Sequence, residues 1–75
     1  MRIMNLYKHK NNTDVAIMPI KVPFFVKEKN GYKIRVKWFN IVNPKKIFDL
    51  FITETIFVKK SDISNWKYYE PTVKI

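Results

Sequence analysis

The segment VPFFVKEKNGYKIRVKWF, residues 22–39, decides the fold, because it holds two strand-forming runs joined by a tight turn. Both runs are rich in β-branched and aromatic residues, which favour strands. The Asn30-Gly31 pair between them is a strong hairpin signal. In the second run a basic residue stands at every other position, as Lys33, Arg35 and Lys37. Because side chains alternate along a strand, we predict a hairpin with one basic face.

The apolar side chains select the register of this hairpin. A two-residue loop at Asn30 and Gly31 would pair Lys29 with Tyr32 and set apolar residues opposite basic ones. A three-residue loop that adds Lys29, with Gly31 in the left-handed conformation, pairs Glu28 with Tyr32 and matches apolar residues across the strands. We predict the three-residue loop. The predicted core face holds Val22, Phe24, Val26, Ile34, Val36 and Trp38, and the opposite face holds Lys21, Phe25, Lys27, Lys33, Arg35, Lys37 and Phe39.

The rest of the chain predicts further short elements. Residues 44–51 have apolar spacing that allows one helical turn, and Asn43-Pro44 before them is either a turn opener or a helix start. Residues 51–60 have the β-branched content of a strand, but neither of its faces is cleanly polar, so its buried face stays open. A short helical turn at 61–66 precedes a last short strand. The order of elements predicts an all-β, five-stranded small barrel with a short helical turn before the last strand.

Length and composition limit the classes of function. The 75 residues form one domain, residues 1–75, with no cysteine and with His9 as the single histidine. Six acidic residues are scattered without paired spacing, and one glycine excludes a glycine-rich phosphate loop. We therefore expect no enzymatic activity, no metal site and no cofactor. The chain has no signal-peptide pattern and no apolar run of about 20 residues, which predicts a cytoplasmic protein without a membrane partner.

The net charge of +9 points to a polyanionic partner. The excess of lysine has a second explanation, because lysine, asparagine and isoleucine share AT-rich codons. The best candidate site is the basic face, on which cations suit phosphates and phenylalanines suit stacked bases. Its predicted nucleic-acid-binding residues are Lys27, Lys33, Arg35, Lys37, Phe25 and Phe39. The alternative is an ordinary solvated face with the two phenylalanines packed under a loop or a terminus.

A second candidate surface is the aromatic cluster near the C-terminus, formed by Trp66, Tyr68 and Tyr69. Exposed tryptophan and tyrosine are common anchors of protein interfaces, so these residues are predicted protein-interface candidates. The alternative for Trp66 is a buried position that plugs one end of the barrel.

The stretch FVKKSDISNWKYYE, residues 57–70, resembles the part of SH3-like barrels in which a 3₁₀ turn precedes the last strand. The resemblance implies the architecture. Peptide-binding SH3 domains carry an acidic, aromatic groove near an ALYDY-type strand, whereas the matching stretch here reads NLYKHK, with basic residues after Tyr7. The patterns LYKHKNNTDVA, VKEKNGYKIRVKWFN and FVKKSDISNWKYYEP are also similar to small uncharacterised proteins of tailed bacteriophages. That similarity implies action inside an infected bacterium.

These observations predict a non-enzymatic protein whose basic face binds nucleic acid with little sequence preference. One alternative is a phage-type accessory protein that binds and modulates an acidic bacterial protein. The other is a self-associating structural subunit whose exposed edge strand pairs between chains. The sequence leaves the oligomeric state open.

Overall fold

A computed structural model describes residues 1–12, 14–43 and 45–70. They form one antiparallel sheet, whose central strand begins at Gly31 in the second half of the segment 22–39. Two 3₁₀ turns interrupt the sheet, the first at Lys27–Lys29 and the second at Lys60–Asn65. The strands are β1 (Tyr7–His9), β2 (Val15–Pro19), β3 (Phe24–Val26), β4 (Gly31–Asn43), β5 (Lys46–Lys59) and β6 (Trp66–Tyr68).

The long strand β4 organises the sheet. β5 pairs along one of its edges, while β3 and β2 follow one another along the other edge. β1 and β6 continue the sheet beyond β2. The sheet curls into a half-barrel, so the predicted small all-β fold is confirmed. The predicted helical turn before the last strand is also present, as the second 3₁₀ turn.

The core lies on the face of β4 that carries its even-numbered residues. Ile17 of β2, Ile34 and Val36 of β4 are fully buried, and Val58 of β5 is almost fully buried beside them. Burying an aliphatic side chain of this size contributes about 1.5–3 kcal/mol. Partly buried rings pack around this cluster, and they belong to Tyr7, Tyr32, Trp38 and Trp66. The alternation of β4 before Trp38 therefore leaves Lys33, Arg35 and Lys37 on the opposite face.

The predicted register of the first hairpin is wrong. β3 pairs Phe25 with Tyr32 and Val26 with Gly31, so four residues, 27–30, form the connection. The first 3₁₀ turn fills it, and Asn30, with a φ of 49°, takes the left-handed position expected of Gly31. Asparagine tolerates this conformation better than most residues.

Gly31 serves a different purpose from the one predicted. A Cβ atom added there would lie 2.5 Å from Cζ of Phe57 and 2.7 Å from the carbonyl oxygen of Val58. The glycine thus lets β5 and the Phe57 ring approach β4 closely. The core partner of β4 is β2, where Ile17 lies opposite Trp38. Two side chains expected in the core are consequently exposed, Val22 at 78% and Phe24 at 68%.

The chain after Asn43 continues as a strand, because β5 begins at Lys46. The helical turn considered for residues 44–51 is therefore wrong for the described part of that segment, and Pro44 lies outside the described residues. The β4–β5 pairing is irregular here: Lys37 pairs with Thr53 but Phe39 pairs with Asp49. Residues 50–52 thus bulge opposite a single β4 residue.

A polar contact joins β1 to the second 3₁₀ turn. Nδ1 of His9 accepts a hydrogen bond from the backbone N–H of Asn11 at 3.2 Å, so Nε2 carries the proton and donates to Oδ1 of Asp62 at 3.1 Å. Nδ2 of Asn65 donates to the same oxygen at 2.6 Å. The hydrogen bond from Asn65, and then the one from His9, lower the pKa of Asp62. The Trp66 ring packs edge-on against His9, with centroids 5.0 Å apart.

Candidate nucleic-acid interface

The alternation of β4 carries Lys33, Arg35 and Lys37 to the face opposite the core, as predicted. Lys33 and Arg35 are exposed, and the Arg35 guanidinium lies against Thr55 of β5, with Nη1 3.5 Å from Oγ1. Nζ of Lys37 lies 3.9 Å from Oδ2 of Asp49, so part of its charge is neutralised within the protein. The positive potential of this row is therefore strongest toward Lys33 and Arg35.

The register adds aromatic side chains that the sequence did not assign to this face. Lys33 pairs with Phe24 of β3 on one side and with Phe57 of β5 on the other. These three side chains stand in one row across three strands, with Phe24 68% and Phe57 40% exposed. Nζ of Lys29 lies 5.9 Å from the centroid of the Phe57 ring. Lys59 pairs with Gly31, which places a further cation beside this row.

Three residues predicted for the site are placed differently. Phe25 pairs with Tyr32 on the core side of the sheet, and the two rings meet edge-on with centroids 5.1 Å apart. Lys27 belongs to the first 3₁₀ turn and not to β3, so it is not part of the sheet face that carries Lys33. Phe39 shares the face of Lys37 but is half-buried between β2 and β5. A predicted loop of four residues instead of three would have placed Phe24, and not Phe25, on the face of Lys33.

We define the basic face as the outward-facing set of cations and aromatic rings on β3, β4 and β5. It consists of Lys33, Arg35, Lys37, Lys59, Phe24 and Phe57. Its remaining β5 positions are threonines, Thr53 and Thr55. The one carboxylate of the central part of β5, Glu54, lies on the other face, where Oε1 accepts a hydrogen bond from Nε1 of Trp38 at 2.8 Å.

This arrangement can bind a polyanion that carries flat rings. Cations at alternate positions of a strand stand about 7 Å apart, a spacing that suits successive phosphates. Exposed aromatic rings beside them offer stacking surfaces for unpaired bases. The uncharged threonines between the cations add hydroxyl groups that can donate to phosphate oxygens.

The C-terminal aromatic residues do not form one exposed patch. Trp66 is half-buried against the core, and its indole N–H is buried without a hydrogen bond that meets normal geometry. Tyr69 is half-buried, and Nζ of Lys8 lies 6.0 Å from the centroid of its ring. Tyr68 is 59% exposed, with its ring edge-on to that of Tyr7 at 6.2 Å. Of the three predicted interface residues, Tyr68 is thus the one available to a partner.

Over the ranges that the structure describes, no helix is long or apolar enough to cross a membrane. Comparison of the chain with protein-family models, with curated proteins and with solved structures found no match.

Proposed function

We propose that the protein binds nucleic acid through its basic face, with little sequence preference and with a preference for single strands. The observation that carries the proposal is the row of Phe24, Lys33 and Phe57, in which exposed aromatic rings flank a lysine. Contact between water and an exposed phenylalanine ring is unfavourable, whereas a base stacked on the ring removes this apolar surface from water.

The preference for single strands follows from what the rings need. A base can stack on an exposed ring only when it is not held inside a duplex. The preference for sequence should be weak, because Arg35 is the one arginine of the basic face and bidentate recognition of guanine favours arginine. Lysines contribute mainly phosphate neutralisation, which every sequence offers equally.

The test is fluorescence anisotropy of labelled single-stranded and duplex oligonucleotides at low and at physiological salt. One variant reverses the β4 row with Lys33→Glu, Arg35→Glu and Lys37→Glu. A control variant carries Lys10→Glu, Lys21→Glu and Lys67→Glu at exposed positions elsewhere. Both lower the net charge of +9 by the same amount, so a difference between them reports the location of the site.

We expect the β4-row variant to lose at least about 100-fold in affinity, and the slope of log affinity against log salt to fall by about 2, as three lost phosphate contacts require for a single strand. The control variant should lose much less. Equal losses in the two variants would mean that only the net charge attracts nucleic acid, and the proposal would fail.

A second pair of variants tests the aromatic part of the proposal. Phe24→Ala and Phe57→Ala should each weaken single-strand binding by about 1–3 kcal/mol, because each removes one stacking surface. Duplex binding should change little. Equal effects on both nucleic acids would contradict base stacking.

The other sequence-based expectations, an acidic bacterial protein as the partner and a cytoplasmic location, stay predictions.

A further inference from the structure

β5 presents a long backbone edge on the side away from β4. Among the described residues, β4 is the only strand that pairs with β5. Residues 51–55 and Phe57 are exposed. About half of the N–H and C=O groups of an edge strand point outward, and they can pair with another extended chain.

The composition of this edge is unlike that of the rest of the protein. Residues 47–58, IFDLFITETIFV, form the longest run without lysine or arginine in a chain of net charge +9. Within them, ITETIFV, residues 52–58, runs from the last residue of the bulge through the regularly paired part of β5, which begins at Thr53 and ends at Lys59. Edge strands are usually protected by lysine or proline, but this part holds neither. High β propensity and low net charge are typical of strands that pair with a copy of themselves.

We propose that this edge pairs antiparallel with the same edge of a second copy, around a two-fold axis at Thr55. Charge selects this occupant. Glu54 and the absence of basic residues disfavour a nucleic acid or an acidic segment along the edge. For two copies of a strongly basic protein, residues 47–58 are the part of the chain where like-charge repulsion is weakest.

The position of the axis follows from the side chains. An axis at Glu54 would set two carboxylates opposite each other, which disfavours pairing. An axis at Ile56 would bring Lys59 of each copy into the paired segment, opposite Thr53, and would add positive charge there. The axis at Thr55 pairs residues 52–58 with one another and leaves Lys59 outside them.

The resulting cross-strand pairs are compatible in chemistry. Thr55 faces its own copy, and opposed threonines are a favourable pair. Ile52 faces Val58, so an isoleucine that is 49% exposed gains an apolar neighbour. Thr53 faces Phe57 on the side of the sheet that carries the basic face.

This pairing has a consequence that rests on the proposed function. A two-fold axis between antiparallel neighbours stands perpendicular to the sheet, so both basic faces lie on the same side. The two β4 rows are then three strand spacings apart, about 14 Å. That exceeds the screening length of about 8 Å at physiological salt, so the rows repel weakly and form one larger binding surface.

Single-cysteine variants test the pairing directly, because the described residues and the sequence contain no cysteine. Thr55→Cys and Thr53→Cys are matched, since both threonines are exposed on the same face of β5. Across the proposed axis two Cα atoms of residue 55 lie about 4.5–5.5 Å apart, within the disulfide range, whereas those of residue 53 lie about 14 Å apart. The cysteine-free protein is measured in parallel by sedimentation equilibrium.

We expect a particle of twice 9.1 kDa without nucleic acid, and a disulfide that forms at least about tenfold faster at Cys-substituted position 55 than at position 53. A monomer at all concentrations would overturn the proposal. So would equal or faster cross-linking at position 53, or a dimer that appears only when nucleic acid is added.

Two variants separate this proposal from the proposed function. Thr55→Lys sets two ammonium groups opposite each other at the axis and should leave a folded monomer. Because Thr55 lies on the basic face, this variant reports the oligomeric state and not nucleic-acid binding. The β4-row variant leaves the β5 edge unchanged, so it should lose oligonucleotide binding and remain a dimer. A Thr55→Lys protein that still forms the dimer would overturn the pairing, and a monomeric β4-row variant would contradict it as well.

Discussion

The two ends of the β4–β5 hairpin have the same strand structure but opposite surroundings. At the barrel end, Gly31–Val36 of β4 has neighbours on both edges, and Ile34 and Val36 are fully buried. At the hairpin end, residues 42–43 and 45–52, β2 no longer flanks β4, and several apolar side chains stay exposed. Their exposed fractions are 63% for Val42, 49% for Phe48 and 92% for Phe51. An apolar strand sequence therefore becomes core only where other elements cover it.

The regularity of the pairing changes at the same place. From Gly31 to Lys37 the two strands run in one register, and the irregularities fall between Lys37 and Asn43. The basic face stands on the regular part, where buried residues on the other side of β4 hold the backbone in place. A rigid platform fixes the spacing of its cations, which is what a row of phosphate contacts needs.

The largest expected effect tests this difference in burial. Ile34→Ala should lower the free energy of unfolding by about 2–4 kcal/mol, because it removes fully buried methylene groups and leaves a cavity. Phe48→Ala, a larger truncation at the hairpin end, should cost less than about 1 kcal/mol, because half of that ring already lies in water. Urea unfolding followed by tryptophan fluorescence measures both. Comparable losses would show that the hairpin end is packed as tightly as the barrel end.

The same contrast explains which features the sequence predicted. Strict alternation in β4 predicted both the buried Ile34 and Val36 and the outward row of Lys33, Arg35 and Lys37, because period-two patterns follow directly from strand geometry. The prediction failed where two strands were matched in isolation. The apolar residues of β4 were matched with β3, whereas their neighbour is β2. β2 lies farther away in the sequence, and its Ile17 gave no local signal of this pairing.

The same error in register affected the predicted binding site. A register changed by an odd number of residues exchanges the two faces of a strand, so Phe25 was predicted where Phe24 lies. Phe57 was missed for a related reason. Neither face of residues 51–60 is cleanly polar, and their place on the sheet depends on pairing with β4 and on the close approach at Gly31. The bulge at 50–52 has no clear sequence signal beyond the aspartate that stabilises it.

A smaller effect is expected at the contact between His9 of β1 and Asp62 of the second 3₁₀ turn. The pKa of Asp62 is lowered by hydrogen bonds from Asn65 and His9, so folding favours its charged form. This contribution is complete above the usual carboxyl pKa, near 4, and disappears as the pH falls through the lower folded value. Asp62→Asn should therefore reduce the melting temperature at pH 6, by less than Ile34→Ala does, and the difference from the unmodified protein should vanish toward pH 2.

Glu28→Gln is the matched control for this titration, because it removes an exposed carboxylate of the first 3₁₀ turn. Its melting curve should follow that of the unmodified protein more closely over the same pH range. An Asp62→Asn difference that stays constant from pH 6 to pH 2 would show that the carboxylate charge contributes nothing to the contact between β1 and the second 3₁₀ turn.

The smallest effect is expected at the most exposed ring of the hairpin end. Phe51 has a φ of 56°, a left-handed conformation that costs a non-glycine residue about 1 kcal/mol or more. Its backbone N–H donates to Oδ1 of Asp49 at 2.7 Å. This hydrogen bond stabilises the bulge and does not involve the ring. Phe51→Gly removes the strain but increases the freedom of the unfolded chain, so its stability should lie between unchanged and about 1 kcal/mol higher.

The neighbouring Ile52 supplies the control, since it has no positive φ and Ile52→Gly should cost about 1 kcal/mol or more. Both variants are compared by urea unfolding in the Thr55→Lys background, so that self-association does not contribute. If Phe51→Gly is the less stable of the two, the ring makes contacts that compensate for its backbone strain. If Phe51→Gly is as stable as the Thr55→Lys protein that retains Phe51, the exposed ring occupies a strained position without stabilising the isolated chain. A contact between the ring and a binding partner would then offset the backbone strain.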